Sequence, residues 1–460
     1  MNRKEELSLQ AAWVWLALFL GVVAFVGGSS SPEAVQLAVL RPFAALMLIP
    51  ALYYLNLAQL RDARILLVLL SSLALWMALQ LVPLPPAIWQ SLPGREAIVA
   101  LDNAAGLGDM WRPLSFVPTR GWNSLASLVV PGAALLLALA TGAKPRDLLI
   151  LIGGLGVFDA LLGLLQTITG RDSVLYLYAI TNRGSPVGIF ANENHSAVFS
   201  AISLLVIARL GATSKALKEV PWLRLAYPPA FVVVLLAVLV SGSRAGIAMT
   251  LLALIVSGLM VWLGLAASRS RRRRGKLEAW LASHPRTLLG CFALVIAGLL
   301  GAFFGLERAP GFEDIFAKNP IEDLRWRLWP VLEQMIGTYW MLGIGFGSFE
   351  EFYHIYEPTA LLLPSYVNQA HNDWAQLVIE GGLPAFAILT VLVGWISQSL
   401  RSLLRADNFA LGRLLFWGAV IAILCAASIV DYPLRTPVFQ LVAIWLLLAL
   451  ALERWDSDAV

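Results

Sequence analysis

Charge is what this 460-residue chain has least of: Asp, Glu, Lys and Arg together supply 13% of it, about half the share usual in soluble domains. Cysteine is scarcer still, with Cys291 and Cys425 alone, both inside apolar runs. That excludes a disulfide framework and a thiolate metal site. Histidine occurs four times, so any imidazole chemistry must come from very few positions. What replaces these residues is apolar. Hydrophobic residues make up 59% of the chain and mean hydropathy is +0.76, which excludes an ordinary water-solvated globule.

The apolar residues are arranged in runs long enough to cross a bilayer, about 20 residues each. Twelve such runs begin near Ala11, Ala34, Ile65, Asn123, Asp147, Asn192, Tyr227, Arg244, Arg286, Asn372, Arg413 and Pro437. The fold class this predicts is an all-α polytopic membrane protein, a single integral domain over 1–460. The first run follows "MNRKEELSLQ" and is expected to be a retained first helix, not a cleaved leader. Twelve spans place both termini in the cytoplasm. The basic residues agree: Arg3, Lys4, Arg61, Arg64, Lys144, Arg146, Lys215, Lys218, Arg401, Arg405 and the "RSRRRRGK" run all fall in inner loops. That last run reads as a topology anchor on anionic lipid, not as a nucleic-acid site. Membrane lipids are therefore expected partners, and nucleic acid is not.

This topology predicts two long periplasmic loops, 84–121 and 306–370, the second carrying short helices. In "IEDLRWRLWPVLEQMIGTYW", Ile321, Leu324, Leu328, Trp329, Leu332, Met335 and Ile336 recur at helical spacing. An interfacial amphipathic helix follows, lying along the membrane or against the bundle. The loop is acidic overall, so an anion bound there needs well-placed arginines.

Polar residues at the membrane are functional candidates by default. Arg244, in "VSGSRAGI", has a guanidinium fork suited to phosphate, flanked by glycines that let a head group approach; a snorkelling interfacial arginine is the plainer reading. Arg41 lies within the second span and must pair or face a wet cavity, with Asp159 as a partner at hand. His371 opens "HNDWAQLVIEGG" at the mouth of a span. An imidazole there suits a general base near neutral pH, although a histidine capping a helix is often only structural. Glu380 falls on the far side of that helix and deeper, a poor partner for His371. Asn194 and His195, at the mouth of another span, fit either head-group contact or simple capping. On the outer side there is no Asp-x-Asp pair or carboxylate cluster of the kind that holds a metal.

In order, the chain reads "GIFANENHSAVFSA", "SGSRAG", "LRWRLWP…LGIGFGSF", "AHNDWAQLVIEGG" and "DYPLRTP". From about residue 150 to 450 this resembles the O-antigen ligase and O-antigen polymerase superfamily of bacterial membrane glycosyltransferases. The ligase pattern of His, then Asn/Ser/Gln, nine residues, Gly, two residues and Gly/Thr/Tyr is met by His371, Asn372 and Gly382, and departs at Ala385. The family's loop arginine, four residues before a tryptophan, corresponds to Arg325, with Arg327 close by.

The resemblance implies a GT-C-like architecture in the bacterial inner membrane with its active site facing the periplasm. The implied reaction is transfer of a glycan from an undecaprenyl-pyrophosphate carrier to an acceptor hydroxyl, on a growing glycan or on lipid A-core. No cofactor and no metal are implied. His371 would act on the attacking hydroxyl, and Arg244, Arg325 and Arg327 would bind the pyrophosphate. Asn372, Asn194, His195, Arg435, Arg41 and Glu380 would contact substrate or support the site. A chain-length regulator is an implied partner. Two other classes fit the span count: a transporter or flippase of lipid-linked glycans, and a protein O-oligosaccharyltransferase. Against the first stand a short 209–225 connection and few charges in the membrane. Against the second, many such enzymes carry extra C-terminal periplasmic sequence, whereas this chain ends soon after the Pro437 run.

Overall fold

A computed structural model describes residues 3–31, 34–213, 223–268, 320–362, 367–405 and 410–458, with single positions 284, 290 and 297. Among the described residues nine helices are long and apolar enough to cross a membrane, and Arg64–Leu79 and Ala226–Val240 are shorter apolar helices. Each coincides with a run expected from the sequence; the run near Arg286 lies outside the described residues. The chain is thus a mostly helical, multi-pass membrane protein.

The bundle is built around the helix Glu193–Thr213, 89% of whose apolar window is buried. Pro145–Thr169, Leu223–Val240, Arg244–Ser268 and Ala410–Val430 pack against it. Small residues permit this crowding, since without a hydrophobic drive between helices in lipid, close approach must do the holding. A Cβ on Gly156 would stand 2.0 Å from Ser203 Oγ, and one on Gly246 2.3 Å from the Cβ of Ala197.

One end of the bundle is a polar roof drawn from distant segments. The Ala191 amide donates to Gly28 O and the Val438 amide to Gly27 O, both at 3.0 Å. Tyr178 OH accepts from the Gly28 amide at 2.6 Å. At the opposite end, Arg209 donates to Glu453 at 3.0 Å and Trp417 Nε1 donates to the second carboxylate oxygen at the same distance.

The two long loops pack on each other above the roof. The first loop opens and continues through a two-stranded antiparallel sheet, Pro83 against Pro113 and Leu84 against Arg112. Phe116 joins a second hydrophobic cluster with Leu328, Leu332, Met335, Phe349 and Phe352. The helix Pro320–Tyr339 is amphipathic: Leu328, Leu332 and Met335 of the expected stripe are buried, whereas Trp329, also expected on that stripe, is exposed together with Trp326. Arg95 lies beneath it, its guanidinium 3.7 Å from the Phe116 ring centre.

A kink then sets the site. Within Asp373–Arg405, Gly382 has φ 61° and ψ −161°, a conformation that glycine adopts at low cost. A helix broken in a membrane leaves carbonyls that must find donors, and here each does. Ile379 O accepts from the Ile344 amide, Glu380 O from the Gly345 amide and Gln80, and Gly381 O from Trp76 Nε1. A Cβ on Gly382 would meet the Leu342 carbonyl carbon at 2.6 Å. The glycine of the His-Asn pattern is therefore a point where helix and loop backbones touch.

Candidate active site

His371 is the one non-glycine with positive φ among the described residues, at 49°. Two side chains fix the backbone on either side of it. Asn372 Oδ1 accepts from the Ala375 amide at 3.0 Å, capping the helix that follows. Gln376 Oε1 accepts from the Ala370 amide at 2.9 Å. His371 Nδ1 stands 3.6 Å from Asp431 Oδ1, and the side chain keeps 17% exposure.

Asp431 is the hub of the roof. It follows the last residue of Ala410–Val430 and is buried. The Tyr432 amide donates to its Oδ1 at 3.0 Å and Asn194 Nδ2 to its Oδ2 at 3.2 Å. His195, itself buried, brings Nε2 to 3.8 Å from the same Oδ1. The Tyr432 ring packs beside both imidazoles, 5.0 Å from His371 and 5.5 Å from His195. Burial opposes ionisation of Asp431, but the two imidazoles outweigh it and hold the carboxyl well below the usual range. At 3.6 and 3.8 Å the two imidazoles lie beside the carboxylate without a hydrogen bond to it, and His371 Nδ1 and both ring nitrogens of His195 are buried with no hydrogen-bond partner among the described residues.

Next to this hub is a second polar group. Arg435 donates through Nε to Asp373 and through Nη2 to Glu380, each at 3.2 Å. Ser428 donates to Asp373 Oδ2, and Gln376 with the Gly347 and Phe349 amides donates to Glu380 Oε1. Burial works against the Arg435 charge, yet Glu380 and Asp373 hold its pKa above the ordinary arginine value. Glu380 indeed turns away from His371, toward Arg435.

The expected Arg41–Asp159 pair does not form. Arg41 Nη1 donates to Asn123 Oδ1. Asp159 instead accepts from the Ile189 amide at 2.8 Å and Ser196 Oγ at 2.9 Å. The reason is local, since the turn before Asn194 supplies the Ile189 amide and the first turn of the helix Glu193–Thr213 supplies Ser196. Arg244 is half-buried at the start of its helix, at the same end as His195, because Gly246 abuts Ala197. Arg327 is exposed and donates to Ala360 O at 2.9 Å. Arg325 sits on Pro320–Tyr339, with its side chain outside the described residues.

Asp431 and Gln376 are central here and were not singled out in the sequence. The signal for Asp431 was present: a carboxylate ending a span and opening "DYPLRTP" is costly unless partnered.

Fold and site together define a multi-pass membrane protein with a histidine–carboxylate centre at one end of its bundle. Residues 229–390 match the family model described as O-Antigen ligase, in agreement with the resemblance that the order of motifs carries. The matched stretch contains Arg244, His371, Asn372 and the kink at Gly382; Asn194, His195, Asp431 and Arg435 lie outside it. No curated protein matches the chain.

Proposed function

We propose that this protein is a membrane glycosyltransferase of polysaccharide or lipopolysaccharide assembly, moving a glycan from an undecaprenyl-pyrophosphate carrier to an acceptor hydroxyl at the periplasmic face of the inner membrane. The observation that carries this reading is the His371–Asp431 contact of 3.6 Å, with Nδ1 toward the carboxylate, inside a chain whose residues 229–390 match O-Antigen ligase. In the proposed step the acceptor oxygen attacks the anomeric carbon and gives its proton to His371 Nε2. The bond from that carbon to the pyrophosphate oxygen breaks, and the carrier leaves with the electron pair. Asp431 stabilises the imidazolium that results, while Arg244 and Arg325 meet the growing charge on the leaving group. General-base help of this kind is typically worth about 10²–10⁴ in rate.

The acceptor is a second glycan on its carrier for a polymerase, or a finished lipid core for a ligase. The test replaces His371 with alanine and with glutamine in cells and follows lipid-linked glycan. Loss of transferred product, accumulation of the carrier-linked intermediate and an unchanged protein level are expected. Product at the wild-type level removes His371 from the reaction.

A further inference from the structure

Residues 170–192 connect the helix Pro145–Thr169 to Glu193–Thr213, whose start reaches the Asp431 hub through Asn194. The connection is pinned by its own polar groups. Tyr176 OH donates to Ser185 O at 3.2 Å and accepts from the Gly184 amide at 2.7 Å, and Gln166 Nε2 donates to Gly188 O at 2.9 Å. Asn182 Oδ1 accepts from the Glu193 amide at 3.2 Å, so the turn at Thr181 and Asn182 is held against the start of the helix. Asn192 Oδ1 accepts from the Asn194 amide at 2.8 Å and caps it.

Two oxygens at this junction have nothing to bond. Glu193 Oε2 and Thr181 Oγ1 are buried and lack a hydrogen-bond partner among the described residues, although both residues as wholes are only half-buried. A helix dipole favours a carboxylate in the first turn, which accounts for an acid at 193 but not for an oxygen sealed away from donors. Such sealing is costly until a donor arrives, and a hydroxyl-bearing ligand supplies one. The cations of the same segment are engaged within it. Arg183 donates to Arg171 O at 3.1 Å and lies 5.4 Å from the Tyr176 ring centre, and the Arg171 side chain runs against Gly184. Ile180, next to Thr181, is 81% exposed and adds an apolar surface at the notch.

We propose that Glu193 and Thr181 form a subsite for one uncharged sugar unit, whose adjacent hydroxyls donate to the carboxylate while Thr181 meets a third oxygen, and that Glu193 selects against a uronic acid there. An ionised carboxylate accepts through both oxygens and has no donor of its own. It therefore matches the donors of a diol and repels a second carboxylate placed beside it. The Thr181 hydroxyl, donor and acceptor in one, adapts to either a ring oxygen or a hydroxyl. Both residues lie outside the matched stretch 229–390. The subsite rests on the reading that a glycan is the substrate, but its sugar binding needs neither the carrier nor the transfer step.

The test uses the purified full chain in detergent and ligand-observed NMR with methyl glycosides of glucose, galactose and mannose, each paired with the methyl glycoside of its uronic acid. At least one neutral glycoside is expected to bind, with its uronic acid at least about tenfold weaker, the scale of one charged hydrogen bond lost. Glu193→Gln keeps the size and removes the charge, so it should narrow that gap to within about threefold. Thr181→Val should weaken the neutral glycoside and leave the neutral-to-acid ratio as in the wild type. Equal or tighter binding of the uronic acids, an unchanged ratio in Glu193→Gln, wild-type affinity in Thr181→Val, or no binding of any glycoside would each overturn the proposal. Should Glu193→Gln fail to fold, the wild-type ratio and Thr181→Val decide it. Failure of the transfer reading shows elsewhere, as wild-type product from His371→Ala in cells, and leaves the glycoside ratios standing.

Discussion

Asn194 and Asp431 share a hydrogen bond of 3.2 Å across 237 residues of chain. That single contact joins the two asparagine- and aspartate-bearing mouths that frame His195 and His371. It makes Asp431 a hub whose charge two imidazoles and a carboxamide read at once.

Replacing Asp431 with asparagine should therefore impair transfer while leaving the fold in place. Loss of the anion removes both the orientation of His371 and stabilisation of its protonated form. A drop of at least about tenfold in transferred glycan is expected, toward the 10²–10⁴ that such groups supply. The check is product per unit of membrane protein, with variant and wild type at matched levels. Undiminished product would remove Asp431 from the reaction.

The same carboxyl makes a pH prediction with a definite sign. Its folded pKa is depressed, so its stabilising contribution is complete above the unfolded carboxylate value of about 4 and fades only as pH falls below that. Thermal midpoints of wild type and Asp431→Asn should converge as pH falls below about 4. A gap that persisted unchanged in stronger acid would assign that stability to another group.

Gly382→Ala should destabilise the protein. Its φ of 61° is strained for alanine, and the new Cβ would stand 2.6 Å from the Leu342 backbone. Backbone strain of this type costs of order 1–3 kcal/mol, before the overlap is relieved. A lower thermal midpoint in detergent and less protein in the membrane are expected, whereas Gly394→Ala, with nothing within 4 Å of its would-be Cβ, should behave as wild type.

Glu380→Gln tests the Arg435 network. Glu380 is fully buried and accepts from Arg435, Gln376 and two amides. Removing one partner of a buried ion pair costs about 3–5 kcal/mol, so Glu380→Gln should be markedly less stable. Adding Arg435→Met should recover part of the loss in a double-mutant cycle. Strict additivity of the two changes would mean that the pair is not coupled.

The exposed Arg120–Glu351 contact, at 2.7 Å, should by contrast contribute little. Glu351→Gln is expected to change stability by no more than about 1 kcal/mol, measured by the thermal midpoint in low and high salt.

Much of the scaffold was legible in the sequence because hydrophobic length is a local property: the starts expected near Asn192, Asn372 and Pro437 each lie within a residue of an observed helix. The amphipathic face of 320–339 was readable for the same reason. His371 and Asn372 stood out because a polar pair at a helix mouth is conspicuous in a chain so poor in charge. Pairing was not readable. Arg41 and Asp159 looked like partners since each lacked an obvious one nearby, but Asp159 is satisfied by the Ile189 amide, and backbone donors carry no sequence signal. Asp431 escaped notice because its value depends on Asn194, His195 and His371, which only the folded chain gathers around it.

The clasp between Gly27 and Val438 has a consequence for biogenesis. Among the described residues the first and last long apolar helices are stitched together at the roof, so a ribosome-bound chain that has inserted most of its helices still lacks both the hub and the Arg435 network. Order at this end of the bundle therefore waits for residues 431–438 to join the segments made long before them.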